Sequence, residues 1–267
     1  MMQKHHFSSY EDFWRWSVNN KEDFWAETIK NLGIQLDQPY FSVVDTSKGV
    51  EQPQWLKGAR LNIVDSCFQN DNDATTILYQ KEGGDIKKVS QNELENLVNR
   101  IANGLRYLGV SEGDTIAIDM PMTVEAVAIY LAAIKAGNPV ATIADSFTPN
   151  EISIRLKITK PKVIFTQDVL LRAGKVLPLY QKVVEADAPK AIVIKATTEN
   201  LNLRPEDNYW KDFLSDNNTF NSVIQNPDEI ITILFSSGTT GEPKAIPWTH
   251  TTPIKGASDG YYHHNIQ

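Results

Sequence analysis

Short, almost entirely apolar segments alternate with segments of helical periodicity through the middle of the chain. The apolar segments are residues 115–120, 139–144, 162–166 and 191–195. The helical segments are residues 124–136, 150–159 and 177–186. Strands that are apolar throughout are typical of a sheet buried on both faces. The alternation therefore predicts an α/β fold with a mostly parallel sheet, right-handed crossovers and flanking helices.

The regular part of the chain begins after about residue 70. Residues 75–80 have the composition of a strand, and Gly83 and Gly84 mark a turn. Ser90 and Glu93 have the spacing of a capping box, which predicts a helix that ends near Gly109.

The first seventy residues have a different character. Ser8 and Glu11 predict a capped first helix, and a second aromatic-rich helix is expected to end at Gly33. An irregular stretch follows at residues 35–62. We therefore expect residues 1–70 to form an extension and residues 71–267 to form the first part of a larger domain.

Charge and cysteine content exclude several classes of protein. The 267 residues carry a net charge of −7 and no dense run of Lys or Arg, which argues against nucleic acid as a partner. The single cysteine cannot form an internal disulfide. The longest apolar run, residues 127–134, is too short to cross a bilayer. A cytoplasmic protein with no membrane partner is the expectation.

Residues 236–244 carry the strongest chemical signal. They follow a buried type of strand at residues 230–235 and combine four hydroxyls, two glycines and a lysine, namely Ser236, Ser237, Gly238, Thr239, Thr240, Gly241 and Lys244. Glycines let successive backbone N–H groups converge on one point, and the hydroxyls and the lysine add donors for a polyphosphate. The alternative is a flexible surface turn.

Two better-known nucleotide motifs are absent from this loop. A Walker A loop needs glycine before its lysine and Ser or Thr after it, whereas Pro243 and Ala245 flank Lys244. The dinucleotide fingerprint GxGxxG is also missing. Residues 245–248 are expected to form a strand rather than a helix.

The loop resembles the signature of the adenylate-forming superfamily, which comprises acyl-CoA synthetases, luciferases and nonribosomal adenylation domains. The resemblance implies that the seven loop residues hold the outer phosphates of ATP. Ala245 stands where the family pattern has glycine. The aromatic segment around Phe13, Trp14 and Trp25 is similar to the N-terminal extension of acetyl-CoA-synthetase-like enzymes.

The same branch has an Arg-Ala-Gly-Arg stretch whose arginines meet the phosphates of CoA. Residues 172–175 resemble it, with Lys175 in place of the second arginine. The resemblance implies that Arg172 and Lys175 bind CoA. The alternative for both is an exposed basic cap on a helix.

The resemblance implies an acid–CoA ligase that uses ATP, CoA and Mg²⁺. A carboxylic acid attacks the α-phosphate to give acyl-AMP and pyrophosphate, and CoA then displaces AMP. Two alternatives stay open: a carrier-protein-loading adenylation domain and a non-catalytic nucleotide-binding module. In the family, the catalytic lysine, the Mg²⁺ ligands and most of the acid pocket come later in the chain. No catalytic or metal-binding residue is therefore assigned here, and we expect residues 1–267 alone to be inactive without the C-terminal part.

The histidines are assigned to structural or surface positions. His250 is expected to have a structural role near a helix that Thr252 caps and Pro253 begins, with a catalytic role as the alternative. The pairs at residues 5–6 and 263–264 lack metal-ligand spacing and partner carboxylates, so we expect them to lie at the surface.

Overall fold

A computed structural model describes residues 1–199, 201–237, 241–264 and 266. Its helices are α1 (Tyr10–Asn19), α2 (Lys21–Asn31), α3 (Gln91–Tyr107), α4 (Val124–Lys135), α5 (Pro149–Thr159), α6 (Leu179–Glu185), α7 (Trp210–Phe213) and α8 (Thr252–His263). Its strands are β1 (Ser42–Asp45), β2 (Gln54–Lys57), β3 (Thr75–Gln80), β4 (Ile86–Ser90), β5 (Ile116–Asp119), β6 (Val140–Ile143), β7 (Val163–Gln167), β8 (Val169–Arg172), β9 (Lys175–Pro178), β10 (Ala191–Ile194), β11 (Asn208–Tyr209), β12 (Ile230–Ser236) and β13 (Lys244–Thr249).

Within the described residues, the main sheet has seven strands in the order β11-β10-β7-β5-β6-β12-β13. From β11 to β12 every neighbouring pair is parallel. All four residues of β5 are buried, as are all five residues of β7. The predicted α/β fold with a mostly parallel sheet is confirmed.

One face of this sheet packs against α5 and α6. Ala117 of β5 and Ile164 of β7 belong to the same buried cluster as Ile152 of α5 and Val183 of α6. Because side chains alternate across a strand, Asp119 lies on the same face as Ala117. The Asp119 side chain therefore lies on the face of the sheet that packs against α5 and α6.

Capping boxes mark the starts of α3 and α5. Ser90 and Glu93 form the predicted capping box of α3, and Gly109 follows the helix with φ +80°. Thr148 and Glu151 form a second capping box at the start of α5. Capping satisfies backbone N–H groups that have no partner within the helix, which is why these short signals define helix starts.

A β-hairpin formed by β8 and β9 precedes α6 and includes the first two residues of the helix predicted at residues 177–186. Strands β8 and β9 pair antiparallel, with Arg172 opposite Lys175. Ala173 and Gly174 form the turn with φ +52° and +71°. Helix α6 starts only at Leu179, so the prediction of a helix from residue 177 is wrong at its N-terminal end. Glycine tolerates a positive φ without steric cost, which favours a tight turn here.

The chain divides into two compact units. The larger one comprises residues 67–223 and 230–248, which include the main sheet. The smaller one comprises residues 1–66, 224–229 and 249–267. In the smaller unit the cap of α1 is Ser9 with Asp12, one residue later than the predicted pair Ser8 and Glu11.

The smaller unit also corrects one histidine assignment. His5 Nε2 lies 2.6 Å from Glu27 Oε2, so this histidine does have a partner carboxylate. The His5 ring also lies 4.7 Å from the ring of Trp16, centroid to centroid. His263 and His264 are exposed, as predicted. Among the described residues, no helix combines the length and apolar character needed to span a membrane.

Candidate functional site

The glycine-rich loop leaves the main sheet at the carboxyl end of β12. Ser236 is the last residue of that strand and is half-buried, and Ser237 is exposed. Lys244 is exposed and begins β13, the neighbour of β12 in the sheet. Adjacent strands therefore hold the two ends of the loop close together. Ligands of open α/β sheets bind outside the carboxyl ends of the strands, and β12 has its carboxyl end at Ser236.

Part of the predicted phosphate site lies outside the described residues, namely Gly238, Thr239 and Thr240. Gly241 is described and has φ +96°. No heavy atom of the described residues, apart from its chain neighbours, lies within 4 Å of the place where a Cβ at Gly241 would stand. L side chains rarely adopt this φ, so the backbone conformation favours glycine at this position.

The two candidate CoA-binding residues lie on the β8–β9 hairpin. Arg172 and Lys175 are paired in its register and both are exposed. The alternative interpretation, that these two residues cap a helix, is wrong, because they flank the β-turn at Ala173 and Gly174. The hairpin follows β7 and the glycine-rich loop follows β12, with β5 and β6 between them. Three strand spacings separate these two strands, or about 14 Å.

A carboxylate already contacts Arg172. Arg172 Nη2 donates to Asp145 Oδ2 at 2.6 Å, and Nη1 donates to Oδ1 at 3.3 Å. Asp145 follows β6, and its backbone oxygen accepts a hydrogen bond from Lys182 Nζ of α6 at 2.6 Å. A cluster of charged residues therefore lies beside the candidate CoA-binding residues.

Asp119 is a fully buried carboxyl group at the end of β5. Neither of its carboxyl oxygens has a hydrogen-bond partner among the described residues. Burial raises the pKa of Asp119 to about 7; Lys182 opposes this rise and Asp145 adds to it. The cause is the cost of removing a carboxylate from water, which favours the neutral acid.

His250 lies in the smaller unit and is completely buried. Its Nδ1 accepts a hydrogen bond from the backbone N–H of Ile63 at 3.2 Å, and its Nε2 lies 3.1 Å from Gln225 Oε1. Burial lowers the pKa of His250 to about 4, so the ring is neutral at pH 7. These contacts agree with the structural role and give no support to the catalytic alternative.

The helix after His250 begins one position earlier than predicted. Thr251 is the N-cap residue of α8, and Thr252 already belongs to the helix. The Thr252 hydroxyl accepts a hydrogen bond from the backbone N–H of Thr249 at 3.1 Å instead of capping the helix. Pro253 is accordingly in the first turn of α8.

Sequence reasoning missed Asp119, Asp145 and Lys182. Asp119 had a visible signal, because it is the one acid in an otherwise apolar strand of the sheet. Asp145 and Lys182 had none, since a polar residue after a strand or on a helix surface is common. Only the folded chain brings the three together.

The mostly parallel sheet with flanking helices defines the larger unit as an α/β protein. The profile of the AMP-binding enzyme family matches residues 65–265. That of the acetyl-coenzyme A synthetase N-terminus matches residues 10–67. The chain belongs to the AMP-binding enzyme family, and the predicted acetyl-CoA-synthetase-like branch is confirmed.

Individual relatives agree with this assignment. The chain is 42% identical over 282 residues to "Probable acyl-activating enzyme 18, peroxisomal" from Arabidopsis thaliana, covering 99% of this chain and 38% of that protein. It is 41% identical over 277 residues to hexanoyl-CoA synthase from Cannabis sativa, covering 97% of this chain and 38% of that protein. The chain thus spans well under half the length of these relatives.

A solved structure shows the same fold. The acetoacetyl-CoA synthetase from Streptomyces lividans superposes with a TM-score of 0.89 at 25% sequence identity. The superposition covers 99% of this chain and 43% of that structure.

Proposed function

We propose that this chain is part of an acid–CoA ligase. The enzyme activates a carboxylic acid with ATP to give acyl-AMP and pyrophosphate, and then transfers the acyl group to CoA. The observation that carries the proposal is that β12 ends at Ser236 and its neighbour β13 begins at an exposed Lys244, with Gly241 at φ +96° between them in the chain. The names of the relatives, which include acyl-activating and acyl-CoA-forming enzymes, support it.

The proposed role of the loop is to hold the β- and γ-phosphates of ATP. Ser236, Ser237, Thr239 and Thr240 supply hydroxyl donors, Gly238 and Gly241 allow the backbone to bend, and Lys244 supplies a positive charge. This work is positioning and charge stabilisation of the departing pyrophosphate, without a covalent step. We propose Arg172 and Lys175 as the groups that meet the phosphates of CoA.

Magnesium has no proposed site in this chain. Within the described residues no group of three or more His, Cys, Asp and Glu side chains could hold a metal ion. We also propose residues 1–70 as an N-terminal extension and residues 71–267 as the first part of the AMP-binding domain. The cytoplasmic location stays a prediction, and the Arabidopsis relative is named as peroxisomal.

The test separates this function from its two alternatives. The enzyme that contains this chain is assayed for ATP–pyrophosphate exchange with carboxylates from acetate to hexanoate and aromatic acids, and for AMP release with and without CoA. Exchange together with CoA-dependent thioester formation is expected. Exchange with loading of a carrier protein but not CoA would favour an adenylation domain. Nucleotide binding without exchange would favour a non-catalytic module.

A further inference from the structure

The two side chains of the Arg172–Asp145 ion pair differ in their exposure to solvent. The Asp145 side chain is only 13% exposed, whereas the Arg172 side chain is 54% exposed. The carboxylate is thus enclosed by protein, and the guanidinium presents its remaining N–H groups to solvent. A phosphate that approaches Arg172 from solvent meets a cation whose charge is already matched.

Asp145 and the hairpin tip are both fixed in place by other contacts. Lys182 Nζ donates to the backbone oxygens of Asp145 and Phe147 at 2.6 and 2.9 Å. Glu82 accepts hydrogen bonds from the backbone N–H groups of Ala173 and Gly174 at 2.8 and 3.1 Å. The ion pair is therefore built between two anchored segments, unlike a chance contact of two mobile surface chains.

We propose that Asp145 determines specificity in the thiol-binding step. Its carboxylate reduces the attraction of Arg172 for phosphate groups, so the site binds CoA less tightly and discriminates less strongly against thiols with fewer phosphates. This inference rests on the proposed role of Arg172 in CoA binding. A negative charge about 6 Å from a phosphate, at an effective dielectric constant between that of protein and water, changes affinity by about threefold to tenfold.

The test is Asp145→Asn in the enzyme that contains this chain, which removes the charge and keeps the size of the side chain. We expect the KM for CoA to fall about threefold to tenfold and the KM for dephospho-CoA to fall less. ATP–pyrophosphate exchange should not change. The gain should shrink at high ionic strength, because the effect acts on partly exposed charges.

Two control variants accompany it. Glu11→Gln neutralises the carboxylate of another 2.6 Å ion pair, with Arg15, and should leave the KM for CoA unchanged. Asp145→Glu keeps the charge and should not lower this KM. Asp145→Ser repeats the charge removal with a smaller side chain if the asparagine variant does not fold.

The Arg172→Ala variant separates failure of this inference from failure of the proposed function. If Arg172→Ala raises the KM for CoA but neutral variants of Asp145 do not lower it, only the role of Asp145 is wrong. If Arg172→Ala leaves the KM unchanged, the CoA assignment is wrong and the role of Asp145 fails with it. A gain from Asp145→Asn that persists in the double variant with Arg172→Ala would also overturn the inference, since the effect would not act through Arg172.

Discussion

His250 Nδ1 accepts a hydrogen bond from the backbone N–H of Ile63, 187 residues earlier in the chain, at a distance of 3.2 Å. A ring nitrogen can accept only while it is unprotonated. The ring is fully buried, so protonation would both break this bond and place a charge in the core of the smaller unit. The integrity of that unit therefore depends on a neutral His250.

The first prediction concerns acid stability. The pKa of His250 is about 4 when folded and near 6.5 when unfolded, so the unfolded chain binds more protons between these values. Stability should therefore fall as pH drops from 6.5 to 4, by about 3 kcal/mol from this residue. His250→Gln should flatten this part of the profile, measured by denaturant unfolding at several pH values. His263→Gln, at an exposed position, should keep the original profile. Profiles of His250→Gln and the unaltered chain with equal slopes would contradict the prediction.

Asp119 should give the opposite dependence at higher pH. Its pKa is raised from 3.8 to about 7 by burial, so the folded chain retains a proton that the unfolded chain has released. Stability should fall as pH rises from 4 to 8, by up to about 4 kcal/mol. Asp119→Asn should remove that loss and be more stable than the original chain at pH 8. Asp85→Asn, in an exposed turn, is the matched control. If Asp119→Asn is no more stable than the original chain at pH 8, other groups must offset the cost of burying the Asp119 carboxylate.

The loop prediction separates the two half-reactions. Lys244→Ala should slow formation of acyl-AMP by about a hundredfold, because one charged contact to the departing pyrophosphate is lost. Attack of CoA on preformed acyl-AMP should remain nearly intact, since pyrophosphate has already left. Single-turnover assays of each half-reaction provide the measurement, and Lys211→Ala, at an exposed position of α7, is the control. Equal losses in both steps would mean that Lys244 does not hold the phosphates.

The CoA prediction concerns Arg172. Arg172→Ala should raise the KM for CoA about tenfold and spare ATP–pyrophosphate exchange, because a charge-assisted contact to phosphate is lost only in the second step. The KM for dephospho-CoA should differ less between the variant and the original enzyme than the KM for CoA does. An unchanged KM for CoA would leave Arg172 as a surface residue that pairs only with Asp145.

The last prediction concerns residues 1–267 on their own. We expect no acyl-AMP or thioester from this chain, because the proposed role of the loop is to hold only the outer phosphates, and that role does not orient the α-phosphate toward a carboxylate. Loss of orientation removes about 7 kcal/mol or more of barrier lowering, which puts turnover below detection. ATP–pyrophosphate exchange with the purified chain and a panel of carboxylates is the measurement. Robust exchange with any acid would show that a complete adenylation site lies within these residues.

Local sequence determined most of the architecture. Apolar strands of five or six residues specified the buried parallel sheet, and capping boxes at Ser90 and Thr148 defined helix starts. The family followed from a single loop, because few unrelated chains combine those hydroxyls, glycines and a lysine at such spacing. These features depend on neighbours within a few positions, so they can be read without the tertiary structure.

Only the tertiary structure decided the electrostatics around the candidate site. Asp119, Asp145 and Lys182 come from β5, the segment after β6 and α6, and their contacts require the sheet to be assembled. The β8–β9 hairpin was not predicted from the sequence. Residues 177–186 have helical periodicity, which hid the end of β9. The pairing of Arg172 with Lys175 depends on a turn at Ala173 and Gly174. Electrostatic interactions and strand pairings between distant segments depend on the distance between them in space. The number of residues that separates two segments in the sequence does not determine that distance.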